Sequence, residues 1–283
     1  MLYLAGTSGF SYKAWCGSFY PERIAPGEML EYYAQRLPAC EIDNTFYRMP
    51  RAEVLAGWAS QVPADFRFAI KASRRITHFK RLKDAGEETA YLLRVVRELG
   101  PRLGGLLFQL PPNLKKDRDR LARFLDLLPA EVPAAFEFRE PSWFEADTLE
   151  LLRERGRPLC VVDGLDNAGA ASGAAAAPAI AATADWGYLR LRRESYDDDA
   201  LRAWARGIAA TGWTRALVFF KHEDEGAAPA LARRFLDLVD PAGPSGASSI
   251  SSIWPGGPAP SAGRPIDSDG GAVAPGPGPA ATA

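Results

Sequence analysis

Short apolar runs of four to seven residues alternate with longer amphipathic segments along most of the chain. The runs LYLAG (2–6), CEID (40–43), FRFAIKA (66–72), GLLFQL (105–110), AAFEFR (134–139), PLCVVD (158–163), GYLRLR (187–192) and ALVFFK (216–221) predict eight strands. Helical periodicity fills most of the gaps: MLEYYAQRL (29–37), AEVLAGWASQV (52–62), ETAYLLRVVREL (88–99), RDRLARFLDLL (118–128), TLELLRERG (148–156), ALRAWARGIAA (200–210) and PALARRFLDLV (229–239). The position after the sixth strand holds instead AGAASGAAAAPAIAATA (168–184). Its alanines favour helix while its glycines and Pro178 interrupt one, so a poorly ordered insertion and a helix are both compatible with it.

Eight strand–helix units within roughly 240 residues fit a (β/α)8 barrel, whose usual size is about 250 residues. The expected fold class is therefore α/β, a TIM-like barrel over residues 1–240. An open doubly wound sheet is the competitor, but it usually has fewer strands and often carries a phosphate fingerprint after the first. Here that turn reads GTSGF, which is neither GxGxxG, nor GxxxxGK[ST], nor GxSxG. From Pro241 to Ala283, 34 of 43 residues are Pro, Gly, Ala or Ser, too little apolar area to offset the entropy of ordering, so a disordered tail is expected there.

Strand side chains alternate between faces, which sorts the charges. In AAFEFR, Phe136 and Phe138 share the side that meets the helices, which sends Glu137 and Arg139 to the barrel interior. The same alternation turns Glu41, Lys71 and Gln109 inward. Asp163 ends the sixth strand, and Arg190 shares a face with Tyr188 and Arg192. An uncompensated buried ion costs several kcal/mol, so six ionisable groups converging on one cavity demand mutual pairing, water or a ligand. A simple ion pair between Glu137 and Arg139 at a strand end is the bland alternative. Aromatics crowd the same loops: Tyr12 and Trp15, Phe46 and Tyr47, Trp143 and Phe144. They suit a sugar ring or a nucleobase, or else staple long loops onto the rim. Trp58 and Trp204 fall on helix-packing positions.

Composition and charge remove several classes. A net charge of -1 and the absence of long like-charge runs argue against a nucleic-acid partner or a membrane surface. The acidic runs 197–199 and 223–225 are expected at helix N-termini. Cys16, Cys40 and Cys160 lie far from any CxxC spacing, which argues against a disulfide framework or thiolate zinc site and for a reducing compartment. No window approaches 18 apolar residues, and a cytoplasmic location is expected.

Lys71 is the most suggestive single residue, because a lysine desolvated inside a barrel can become a base or nucleophile, although Glu41 would oppose that shift. Glu41, Lys71 and Glu137 are the catalytic candidates. Glu41 with Glu137 could form an acid/base pair, with the mechanism set by their separation. Ser8 reads as a turn or cap residue. No cofactor is expected. A hard divalent ion would need Glu41, Glu137 and Asp163 plus a histidine, and neither His78 nor His222 belongs to an HxH or HExxH pattern. The expected partner is a small-molecule ligand.

The stretches GTSGFSYKAWCGSFYP (6–21), EIDNTFYRMP (41–50), FRFAIKASRRITH (66–78), GGLLFQLPP (104–112), FEFREPSWF (136–144) and FFKHEDEGAAPALA (219–232) resemble the YecE-like family, the domain of unknown function numbered 72. That resemblance implies a TIM-like barrel, in a family tied to sugar isomerases by fold-level similarity alone. The positions that recur in the family fall on Glu41, Asn44, Phe46, Tyr47, Lys71, Thr77, His78, Gln109, Glu137, Arg139, Trp143, Asp163 and Arg190. Asn44, Tyr47, His78, Gln109, Arg139, Trp143, Asp163 and Arg190 are accordingly expected to bind substrate. Where many members continue the seventh strand as RLHG, this chain has Arg190-Leu191-Arg192-Arg193, a more basic rim.

Overall fold

A computed structural model describes residues 1–163, 180–221 and 226–240. Among them are eight strands: β1 (Leu2–Ser8), β2 (Ala39–Ile42), β3 (Arg67–Lys71), β4 (Leu103–Gln109), β5 (Ala134–Glu137), β6 (Cys160–Val162), β7 (Trp186–Leu191) and β8 (Arg215–Phe220). They form one parallel sheet in the order β5-β4-β3-β2-β1-β8-β7-β6. A bridge between Phe136 and Leu159, with the Phe136 N–H donating to the Pro158 carbonyl at 3.0 Å, brings the two ends together. The result is a TIM-like barrel. Every predicted strand is present, most shifted by one or two residues at an end.

Among the described residues seven α-helices alternate with the strands: α1 (Met29–Ala34), α2 (Ala52–Ser60), α3 (Gly86–Val96), α4 (Arg118–Leu125), α5 (Ala146–Glu154), α6 (Asp198–Ala209) and α7 (Ala227–Val239). The 197–199 run starts α6 as expected, the Asp197 carboxylate accepting from the Ala200 N–H at 2.8 Å. Most of the alanine-rich stretch, the 223–225 run, His222 and the tail lie outside the described residues.

Alternation divides the core into two shells. Inside the barrel, Leu4, Ala39, Ala69, Leu107, Ala135, Cys160, Val162, Tyr188, Leu217 and Phe219 fill the lumen. Outside, Phe68, Phe108, Phe136 and Phe138 face the helices, with Phe108 and Phe136 stacked at 5.4 Å and Phe124 of α4 edge-on to both. Full burial of each such ring contributes about 1.5–3 kcal/mol. Trp58 stacks on Phe68, and Trp204 is buried in α6, as their helical spacing predicts. Gly6 allows β1 to approach β2 closely, since a Cβ there would meet the Ala39 carbonyl oxygen at 1.8 Å. The apolar lumen separates two sets of polar inward positions: Arg67 and Arg215 at the N-terminal ends of β3 and β8, and Glu41, Lys71, Gln109, Glu137 and Arg190 towards the C-terminal ends.

Candidate functional site

Strand register builds the site. Ser8 is paired in register with Glu41, and Gln109 with Glu137, so each carboxylate has a donor on the neighbouring strand. The Ser8 hydroxyl donates to Glu41 Oε1 at 2.5 Å, and Gln109 Nε2 donates to Glu137 Oε1 at 2.7 Å. Across the lumen, β7 supplies Tyr188 and Arg190 two residues apart. The Tyr188 hydroxyl donates to Glu41 Oε2 at 2.6 Å.

Arg190 is the hub. Its guanidinium donates to Glu41 Oε1 from Nε at 3.1 Å and Nη2 at 2.9 Å, to Glu137 Oε2 from Nη1 at 2.9 Å, and to Asp43 from Nη2 at 3.2 and 3.3 Å. Arg190 is 1% exposed, and Glu41 and Glu137 are fully buried. Glu137 also accepts from Arg139 Nε at 2.9 Å. Burial opposes ionisation of Glu137, but the Arg190 and Arg139 guanidinium groups outweigh it and hold its carboxyl down to about 2. Burial likewise disfavours the Arg190 cation, and its three carboxylates reverse the balance, raising its pKa well above the ordinary value.

Above this floor lies a mouth with excess positive charge. Asp43 is held below the usual carboxylate range against its own burial by Arg190, Lys71 and Lys221. Both lysine Nζ atoms stand 3.5 Å from it, longer than a well-made charge-assisted hydrogen bond. Lys71 packs over the Phe46 ring at 4.6 Å, and burial pushes its amine below the ordinary lysine value, with Asp43 opposing. The Thr45 hydroxyl, within donating distance of the Ile42 carbonyl at 2.8 Å and the Lys71 carbonyl at 2.7 Å, ties the β2 loop to the end of β3. That tie fixes Phe46 beside the amine.

His78 lies edge-on to Phe46 at 4.8 Å, with Nδ1 2.9 Å from the Thr77 hydroxyl. Burial, then Lys71 and Arg139, lowers its imidazole to about 4, so it is neutral at pH 7. Nuclear magnetic resonance titration of the ring protons, assigned with His78→Gln, should give a midpoint near 4. A midpoint near 6.5 would place the ring in water, away from the cations.

Of the residues singled out in the sequence, Glu41, Lys71, Gln109, Glu137, Arg139 and Arg190 converge here, with Asn44, Tyr47 and His78 on the β2 and β3 loops around them. Two are placed elsewhere. Trp143 is buried, stacked on Phe138 at 4.8 Å with its indole N–H donating to the Leu114 carbonyl at 2.6 Å; it staples the β5 loop to the outer shell. Asp163 accepts from the Tyr196 hydroxyl at 2.6 Å and pairs with Arg193 at 3.0 Å, forming a separate rim contact. Tyr12 and Trp15 pack on each other at 4.7 Å, and Trp15 is fully buried, again as a staple.

Asp43, Ser8, Tyr188 and Lys221 were not selected as site residues from the sequence. Alternation points to all four: Asp43 is two residues beyond Glu41, Ser8 four beyond Leu4, Tyr188 two before Arg190 and Lys221 two beyond Phe219. Glu41 opposes the depression of the Lys71 amine as expected, but Asp43, which pairs with it at 3.5 Å, opposes it more strongly. Among the described residues there is no grouping of three or more His, Cys, Asp or Glu side chains suited to a metal ion. Glu41 and Glu137 converge on a guanidinium, and Asp163 points to other partners. No helix among the described residues is long and apolar enough to cross a membrane.

A closed parallel sheet with helices around it and buried charges gathered at the C-terminal ends of its strands defines a TIM-like barrel protein. The family described as protein of unknown function DUF72 matches residues 4–250, and the chain belongs to that family. It is 33% identical over 128 residues to the UPF0759 protein YecE of Escherichia coli, covering 45% of this chain and 47% of that one. It is 30% identical over 153 residues to the UPF0759 protein YunF of Bacillus subtilis, covering 49% and 54%. The matched stretches thus span about half the length of these curated relatives. Among solved structures, a DUF72 family protein from Thermotoga maritima superposes with a TM-score of 0.68 at 26% identity, covering 85% of this chain and 100% of that one. Another from Enterococcus faecalis gives 0.61 at 18% identity, covering 84% and 98%, a likeness of fold.

Proposed function

We propose that this protein is an enzyme that binds a small, polar, sugar- or phosphate-like molecule in the cleft and acts on it by acid/base chemistry. One observation carries the reading: Lys71 is a buried amine with a lowered pKa, loosely paired to Asp43 at the mouth of a fully satisfied charge network. An amine poised below its ordinary value can give and take a proton nearer neutral pH than a solvated lysine. Arg139 and Lys221, both partly exposed, are placed to stabilise negative charge developing on the ligand. Glu41 and Glu137, fully buried and saturated with donors, take the positioning role of fixing Arg190 and Arg139.

A non-catalytic sensor on the same barrel is the second reading, favoured by the saturation of the two glutamates. The full chain should be screened by thermal shift against sugars, sugar phosphates and nucleotides, since a ligand selective for the folded state raises Tm. Ligands that raise Tm should then be incubated with the protein and followed by nuclear magnetic resonance. Conversion of at least one supports the enzyme; tight association with every ligand recovered unchanged supports the sensor.

A further inference from the structure

The Arg74 guanidinium has no ion pair or hydrogen bond among the described residues, yet it is not a loose surface cation. Its guanidinium lies 5.4 Å from the Tyr47 ring centroid and 5.2 Å from that of Phe79. Tyr47 is 68% exposed and Phe79 67%, two of the few large apolar side chains left in water. Contact with both rings limits the orientations of the planar guanidinium while using none of its N–H donors on a carboxylate. The arrangement continues into the cleft: Tyr47 meets Phe46 at 5.0 Å, and Phe46 carries Lys71 at 4.6 Å. The backbone just beyond Phe79 holds three non-glycine residues at positive φ, Arg81 at 50°, Leu82 at 65° and Asp84 at 50°, a strain that marks an over-determined segment. Arg192, half-buried, also lacks a carboxylate partner among the described residues and faces Arg190 and Arg139. The mouth therefore presents more cationic donors than acceptors.

We propose that Arg74, held between Tyr47 and Phe79, is an oxyanion-recognition residue, so that the ligand of the cleft carries a phosphate or carboxylate group gripped by Arg74 with Lys71 beneath it. The inference rests on the cleft being a ligand site and names the charge class of that ligand. A guanidinium fork matches either oxyanion with two parallel N–H donors, which an ammonium cannot reproduce.

Isothermal titration of the full chain with inorganic phosphate and, separately, with acetate at constant ionic strength tests this without any turnover. The wild type should bind phosphate, and Arg74→Met should weaken it about tenfold or more, the loss expected for a charge-assisted hydrogen bond. Arg74→Lys should recover only part, and Phe79→Ala should weaken binding by removing one support. Melting temperatures of the Arg74 variants should stay near wild type, which a structural role would not allow. Phosphate bound more tightly than acetate assigns a phosphate-bearing ligand; comparable binding assigns a carboxylate. The proposal is overturned if the wild type binds neither anion, or if Arg74→Met binds as the wild type does. Loss in Lys71→Met with none in Arg74→Met would remove Arg74 while leaving the cleft intact.

Discussion

Arg190→Met should lower the melting temperature by on the order of 10 °C at pH 7, the largest effect expected of any single substitution in the cleft. Removing one partner from a buried charge network costs about 3–5 kcal/mol, and about 1 kcal/mol shifts Tm by roughly 2–4 °C in a chain of this size. Methionine leaves Glu41 and Glu137 fully buried without their shared cation. The pH dependence supplies the sign. In the wild type the Glu137 carboxyl is depressed to about 2, so the stability it contributes is present above the ordinary value near 4.3 and is lost as pH falls through about 2. In the variant, burial acts with less opposition and raises the carboxyl value, so protonation relieves the buried charge. The deficit between variant and wild type should narrow from pH 7 to pH 5. Calorimetry at both pH values checks it, and a shift below about 2 °C at each would mean that the network is solvated.

The second large effect separates stability from function. Lys71→Met should reduce turnover of the cleft's substrate by about a hundredfold or more, the usual scale of a general acid or base. Its Tm should stay level or rise. A lysine whose folded pKa is depressed costs the folded state stability at neutral pH, a cost relieved only as pH rises through that depressed value towards about 10.4. Methionine has a similar shape and carries no charge, so it removes that cost, while Asp43 keeps Arg190 and Lys221. A parallel loss of turnover and many degrees of Tm would instead make Lys71 a structural cation. Unchanged turnover would remove it from the chemistry altogether.

The fold was legible because a period of two marks all eight strands and a period of 3.6 marks seven of the segments between and after them. Even the inward assignment of Glu41, Lys71, Gln109, Glu137 and Arg190 follows from counting residues. What counting does not reveal is where alternation ceases to matter. Trp143 follows β5 on a helical turn, where its direction is set by the Phe138 ring and the Leu114 carbonyl. Asp163 lies just past β6, where Tyr196 and Arg193 from the β7 loop capture it. Asp43 was missed for a different reason. Counting puts it on the same face as Glu41, but its importance comes from Arg190, 147 residues away in sequence. Arg74 shows no strand parity at all; its setting depends on two rings brought together by separate loops.

Charges from separate strands meet at one mouth organised by Arg190, and the proposed ligand should bind there. A crystal structure of the full chain soaked with the strongest ligand from the thermal-shift screen tests it most directly. The predicted result is ligand density within hydrogen-bonding distance of Lys71 and Arg139, above an Arg190 still joined to Glu41 and Glu137. Density on the outer helices, with the cleft unchanged and empty, would contradict it.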